Sequence, residues 1–141
     1  MNDAEVSVAA LDRDVADRFQ GLRRELGVSS FGMNLIVLQP GQRGRIHAHD
    51  TQEEVYLVLE GVLTLLIEGE SRVLAADQLG RVAPHVRRQL VNASNVKLVL
   101  LALGGSGEHA GRDGRAWEDW QATGDGRAPQ DVPLPADLPR G

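Results

Sequence analysis

Two hydrophobic patterns divide this chain. In residues 11–26, "LDRDVADRFQGLRREL", Leu11, Val15, Phe19, Leu22 and Leu26 recur at intervals of three and four. That is one apolar face at helical spacing, and it predicts a helix stopped by Gly27. Gly21 weakens its middle, so the helix depends on packing against something else. From residue 30 to residue 103 the pattern shortens to runs rich in Val, Leu and Ile, such as "EEVYLVLEG" and "VKLVLLALGG". About eight strands are expected, with turns at Pro40-Gly41, Gly61, Gly69 and Ala93-Ser94-Asn95, which reads as an all-β antiparallel sandwich or barrel. Residues 55–67 and 96–103 are apolar on both faces, so both faces must be covered, one of them by a second layer or subunit. A homodimer is the expected assembly.

The last 38 residues, 104–141, hold eight glycines and four prolines. No core strand is expected there. Within "RAWEDWQ", Trp117 and Trp120 are spaced to dock one short helical turn on the barrel. Beyond Thr123 the tail reads as extended or mobile. The expected organisation is therefore an N-terminal arm with a helix (1–29), a barrel (30–103) and a C-terminal extension (104–141).

Composition narrows the setting. The chain has 141 residues, 42% of them hydrophobic, enough for one domain with a core. It has no run of about 18 apolar residues and no basic-then-apolar leader, so neither a membrane span nor a signal peptide is expected. The absence of cysteine suits a reducing, cytoplasmic setting and removes thiolate metal sites. A net charge of −5 argues against a nucleic-acid surface. Fourteen of the fifteen cationic residues are arginines, which with the many alanines and glycines fits a GC-rich genome and discounts any single arginine as a clue.

Candidate chemistry sits in "GQRGRIHAHDTQEEVYLVLEG", residues 41–61. In a strand His47 and His49 point to the same face, because the side-chain period is two. The short turn "DTQE" returns the chain as a neighbouring strand, so Glu54 can face the same interior. Two imidazoles and a carboxylate converging there form a ligand set for a divalent first-row metal. Gly41 and Gly61 fall where the chain must turn sharply.

From Gly41 to Gly61 this spacing resembles the first motif of the cupins, small antiparallel jelly-roll barrels, and the resemblance covers roughly residues 30–103. It implies that His47, His49 and Glu54 are metal-ligand positions, for zinc, iron, manganese or nickel. The second cupin motif usually runs glycine-aspartate, a proline-glycine turn, then a histidine separated by three residues from an asparagine. Here Ala76-Asp77, Pro84-His85 and Asn92 stand at those places, and Arg88 holds the position of the usual histidine ligand. "PHVRRQLVN" followed by "LVLLALGG" also looks like a cupin subgroup found in many bacterial genomes.

Arginine stays protonated and has no acceptor, so Arg88 cannot replace a histidine ligand. A guanidinium about 4 Å from a divalent ion would feel a repulsion of about 8 kcal/mol at an effective dielectric of 20. Three placements are open. Arg88 can bend to the barrel mouth and pair with an anionic ligand that also touches the metal. It can form a buried bidentate pair with Glu54 and displace the metal. Or it can lie on the surface. His85, at the barrel rim, is the spare candidate for a fourth metal ligand. Tyr56 shares the parity of Glu54 and either donates a hydrogen bond to a ligand or fills the interior. His109 lies in a glycine-rich loop that could fold over the barrel mouth. Two functions follow: a metal-dependent cupin acting on a small anionic metabolite, or a metal-free binding or sensor module anchored by Arg88.

Overall fold

The computed structural model describes residues 5–105 and 113–139. Ten strands run in order: β1 Phe19–Gln20, β2 Gly32–Leu38, β3 Ile46–His49, β4 Glu53–Glu60, β5 Val62–Ile67, β6 Glu70–Ala75, β7 Leu79–Val82, β8 Arg88–Val91, β9 Leu98–Gly105 and β10 Gly114–Trp117. Eight of them, β2 to β9, occupy the region where the apolar runs predict strands. They form two five-stranded sheets, ordered β1-β2-β9-β4-β7 and β10-β3-β8-β5-β6, with every pairing between them antiparallel. This is the expected jelly roll. Its core lies between the sheets, where Ile36, Tyr56, Val58, Leu98 and Leu100 of one face Leu63, Leu65, Leu74 and Leu90 of the other.

The doubly apolar strands have a cover that the chain itself supplies. Leu35, Val37 and Val99 point away from the barrel interior and form a second buried cluster with Leu22, flanked by Ala9 and Val15. The N-terminal arm therefore lies over the outer face of the first sheet.

The arm does so with much less helix than its periodicity predicts. Helix α1 spans only Leu22–Leu26. Phe19 and Gln20 instead pair with Ile36 and Leu35 at the edge of β2. Arg18 adopts a left-handed φ of 72° just before them, which ends any helix there. An open sheet edge offers backbone hydrogen bonds that a helix interrupted by Gly21 does not match. Val15 and Leu22 still pack inward as the apolar face requires, whereas Leu11 and Phe19 are left exposed.

The C-terminal extension also departs from expectation. Gly114–Trp117 is a strand paired with β3, not a helical turn, and Ala116 is buried within it. Residues 124–139 are tied down and include a 3-10 turn at Pro129–Asp131. Arg45 Nε donates to Val132 O at 2.7 Å, Arg43 Nε to Ala136 O at 2.9 Å, and Leu138 N–H to Gly41 O at 2.8 Å. Arg87 lies over both Trp117 and Trp120 at 5.5 and 5.6 Å from the ring centroids. No helix of the described residues is long and apolar enough to cross a membrane.

Gly61 has φ +83°, and a Cβ there would come within 2.4 Å of Lys97 O. Gly69 has φ +84°, but its Cβ would meet open space. Gly61→Ala should therefore lose stability beyond the cost of the left-handed backbone alone, about 1–3 kcal/mol more than Gly69→Ala. Urea midpoints of the two variants check this, and equal losses would contradict the close approach.

Candidate metal centre

The strand period delivers both histidines to the barrel interior. On β3, Ile46 and Ala48 are buried on the outer side, while His47 and His49 face inward. Glu54 stands on β4 of the opposite sheet, on the same inward face as Tyr56 and Val58. One ligand atom from each of His47, His49 and Glu54 can be chosen so that all lie within 4.8 Å of one another. The imidazoles meet edge to face, with ring centroids 5.4 Å apart. Gly104 makes room for the carboxylate, since a Cβ there would sit 3.3 Å from Glu54 Cγ.

Each imidazole is oriented from behind. His47 Nδ1 lies 3.2 Å from Arg45 O, and His49 Nδ1 lies 2.9 Å from Asp113 Oδ1. Both partners are acceptors, so each Nδ1 carries the hydrogen and each Nε2 is left for the site. Those Nε2 atoms face Glu54, at 3.2 Å from Oε1 for His47 and 3.3 Å from Oε2 for His49. Buried His49 Nε2 has no hydrogen bond of acceptable geometry. A lone pair facing a carboxylate oxygen repels it unless a proton or a cation lies between them. Burial lowers the His49 pKa, but Glu54 and Asp113 outweigh it and leave it raised. Burial likewise works against the Glu54 anion, yet the two histidines beside it hold its carboxyl well below the usual range. A divalent cation satisfies the same atoms without protonating the imidazoles, so the donor set fits one.

Arg88 is fully buried, at 0% exposure, and directly opposite His47 in the β3–β8 register. Its Nη2 lies 3.4 Å from Glu54 Oε1, its Nε donates to Tyr56 Oη at 3.3 Å, and its Nη1 donates to Val86 O at 2.7 Å. Tyr56 donates a short hydrogen bond to Glu54 Oε1. Burial, followed by the charge of Glu54, pushes the phenol pKa well above its ordinary value, so Tyr56 remains a donor. Of the three placements for Arg88, the structure takes the buried one beside Glu54. The contact is monodentate and falls on Oε1, which Tyr56 also occupies. Oε2 faces His49 alone among the contacts described.

Two cavities adjoin the cluster. One of about 210 Å³ is lined by His47, His49, Glu54, Tyr56 and Asn34, with apolar walls from Ile36, Leu38 and Leu90. The other, an open cleft of about 890 Å³, is lined by His49, Glu54 and Asp113 and by Arg23 and Arg24 of α1. Tyr56 is therefore at a cavity wall. Arg88 borders neither cavity, which removes it as an anchor at the barrel mouth. His85 does not join the cluster: it is exposed, holds a left-handed φ of 66°, and donates its backbone N–H to His49 O at 2.8 Å. Its part in the site is to end the β7–β8 turn beside β3. His109 lies outside the described residues.

Asp113 is the residue that spacing does not disclose. It is 8% exposed, and its Oδ2 accepts from Thr51 N and Gln52 N, both at 2.9 Å. Burial opposes its ionisation, but those amides and His49 lower its pKa overall. The carboxylate thus fixes both the turn after His49 and the His49 ring.

The cupin-domain family model matches residues 34–104, half of the chain, and the protein belongs to that family. Solved structures agree on the fold. A cupin protein from Bacteroides fragilis is 24% identical, with a TM-score of 0.65 over 72% of this chain and 84% of that one. A sugar phosphate isomerase from the cupin superfamily of Silicibacter pomeroyi is 22% identical, with a TM-score of 0.62 over 81% of this chain and 76% of that one. The cupin domain of an XRE-family transcriptional regulator from Enterobacter cloacae is 26% identical, with a TM-score of 0.56 over 62% of this chain and 93% of that one. No curated protein matches the sequence.

Asp113→Asn should leave the fold intact but weaken divalent-metal binding by about 10- to 100-fold, because the amide no longer holds His49 with its Nε2 lone pair toward the site. Calorimetric titration with Co²⁺ measures it; unchanged affinity would remove Asp113 from the metal centre.

Proposed function

We propose that this cupin binds a divalent transition metal through His47, His49 and Glu54 and uses it to bind or transform a small anionic metabolite. One observation carries the reading. Both histidines are held at Nδ1 by acceptors, which leaves two Nε2 atoms converging on a carboxylate at the wall of an open cleft. A metal in such a place supplies Lewis-acid polarisation of a bound carbonyl, a more acidic bound water, or oxygen activation. The chain's own residues do the rest. Asp113 and Arg45 fix the imidazoles, and Tyr56 donates its hydroxyl hydrogen to Glu54 Oε1. The likeness to a sugar phosphate isomerase is one of fold, so the substrate class must come from the residues around the cleft.

A second reading is favoured by Arg88. It gives Glu54 a permanent counter-charge, so the carboxylate has no need of a metal. The protein would then be a metal-free binding or sensor barrel, in keeping with the likeness to the cupin domain of a transcriptional regulator. Elemental analysis of protein purified without a metal-affinity column separates the two. About one equivalent of a transition metal is expected, and metal-free protein that also ignores added Co²⁺ would overturn the first reading.

Arg88 nevertheless opposes the ion. Arg88→His removes a buried cation and places an imidazole opposite His47. Metal affinity should rise about tenfold or more, tenfold for each 1.4 kcal/mol of repulsion relieved. Equal affinities in wild type and variant would show that Arg88 does not act on the ion.

The assembly we propose is a homodimer. Val55 pairs with Leu103 and Leu57 with Leu101 on the outer face of the first sheet, and all four remain only half-buried beside the N-terminal arm. A second copy laid over this strip would bury it. Light scattering at micromolar concentration should give twice the chain mass; a monomer mass would contradict the dimer.

A further inference from the structure

With Arg88 sealed away from both cavities, an anionic ligand needs its cation elsewhere. We infer that Arg23 and Arg24 of α1 form an anion-binding subsite across the cleft from the metal centre, taking the phosphate or carboxylate end of a small polar ligand whose other end reaches His49 and Glu54. This rests on the proposed metal site for the ligand's second end only.

The arginines of this protein are mostly spoken for. Among the described residues nine of them end on a carboxylate or a backbone carbonyl, including Arg13 on Glu60, Arg18 on Asp137 and Arg115 on Asp50. Arg23, Arg24 and Arg72 make no such contact among the described residues. Arg72 is exposed on β6 and borders a different cavity. Arg23 and Arg24 are adjacent and border the cleft that holds the ligand atoms of His49 and Glu54. Arg23 is half-buried, and its Nε is withdrawn from solvent without a hydrogen-bond partner among the described residues. An orphaned guanidinium N–H is costly, and an oxyanion is the partner that best satisfies a planar fork of donors.

The pair is also held in place. Leu22, 1% exposed, anchors α1 in the second buried cluster, and Gly27, with φ 75°, closes the helix through its N–H to Arg23 O at 2.9 Å. Glu25 is the one carboxylate on α1 that borders the cleft, and Gln20 Nε2 engages it at 2.7 Å. A ligand anchored by the arginines and reaching the metal must carry oxygen donors beyond its anionic group. This describes phosphorylated or carboxylated polyols and hydroxy acids rather than apolar acids.

The test titrates inorganic phosphate and malonate separately into metal-free full-length protein, so that the subsite is read without the metal. Wild type should bind at least one of the two anions, and whichever binds tighter tells phosphate from carboxylate chemistry. R23Q/R24Q should weaken that anion by about tenfold or more for each arginine. Its thermal unfolding and its Co²⁺ affinity should match wild type, since neither arginine is in an ion pair with a described residue. His49→Ala should do the reverse, losing Co²⁺ and keeping the anion. Equal anion affinity in wild type and R23Q/R24Q, or no binding of either anion by wild type, would overturn the subsite. Loss of Co²⁺ binding by wild type alone would instead sink the metal reading and leave the subsite standing.

Discussion

Everything in the site depends on one buried carboxylate. Glu54 sits among two imidazoles, a phenol and a guanidinium, and a carboxylate withdrawn from water is costly unless such groups surround it. The surroundings divide its two oxygens. Oε1 receives Tyr56 and faces Arg88 and His47, whereas Oε2 faces His49. This division lets one carboxylate serve a structural pair and still present an oxygen to the cleft. The guanidinium of Arg88 lies beside the oxygen turned away from His49, so His47, His49 and Glu54 keep their grouping with an arginine buried next to them.

The barrel exists to bring that constellation together. Two sheets contribute opposite halves, the histidines from one and Glu54 with Tyr56 from the other. The apolar layer between them excludes water from one side of the cluster. The chain ends finish the enclosure from outside. The N-terminal arm buries the outer face of one sheet and carries Arg23 and Arg24 to the cleft, and the C-terminal segment adds β10 beside β3 and brings Asp113 behind His49. The site is therefore made of more than the barrel strands.

How far the sequence disclosed this follows from the physics of each signal. The grouping of His47, His49 and Glu54 is legible in the sequence because a strand period of two and one short turn fix their relative faces locally. The inward direction of Arg88 was legible from the same alternation, but its partner was not, since a side chain that long can reach either the mouth or the interior. Asp113 left no local trace: it meets His49 from far along the chain, and only the β10–β3 pairing brings it there. The N-terminal helix was overread because a three-and-four apolar spacing fits any segment that lays one face on a sheet. Five residues are helical; outside them Val15 packs without a helix, while Leu11 and Phe19 are exposed. A turn histidine near a ligand position looks like a substitute ligand, but His85 is exposed and has a left-handed backbone.

On the proposed reading the two Nε2 atoms and Glu54 Oε2 hold a cation, and Arg88 stays on Oε1. An anomalous difference map from a crystal of the Co²⁺-loaded protein tests this. One strong peak is expected, bonded to Nε2 of His47, Nε2 of His49 and Glu54, with Arg88 still on Tyr56. A map with no peak at these atoms from crystals grown in excess Co²⁺, and the Glu54–Arg88 contact unchanged, would contradict it.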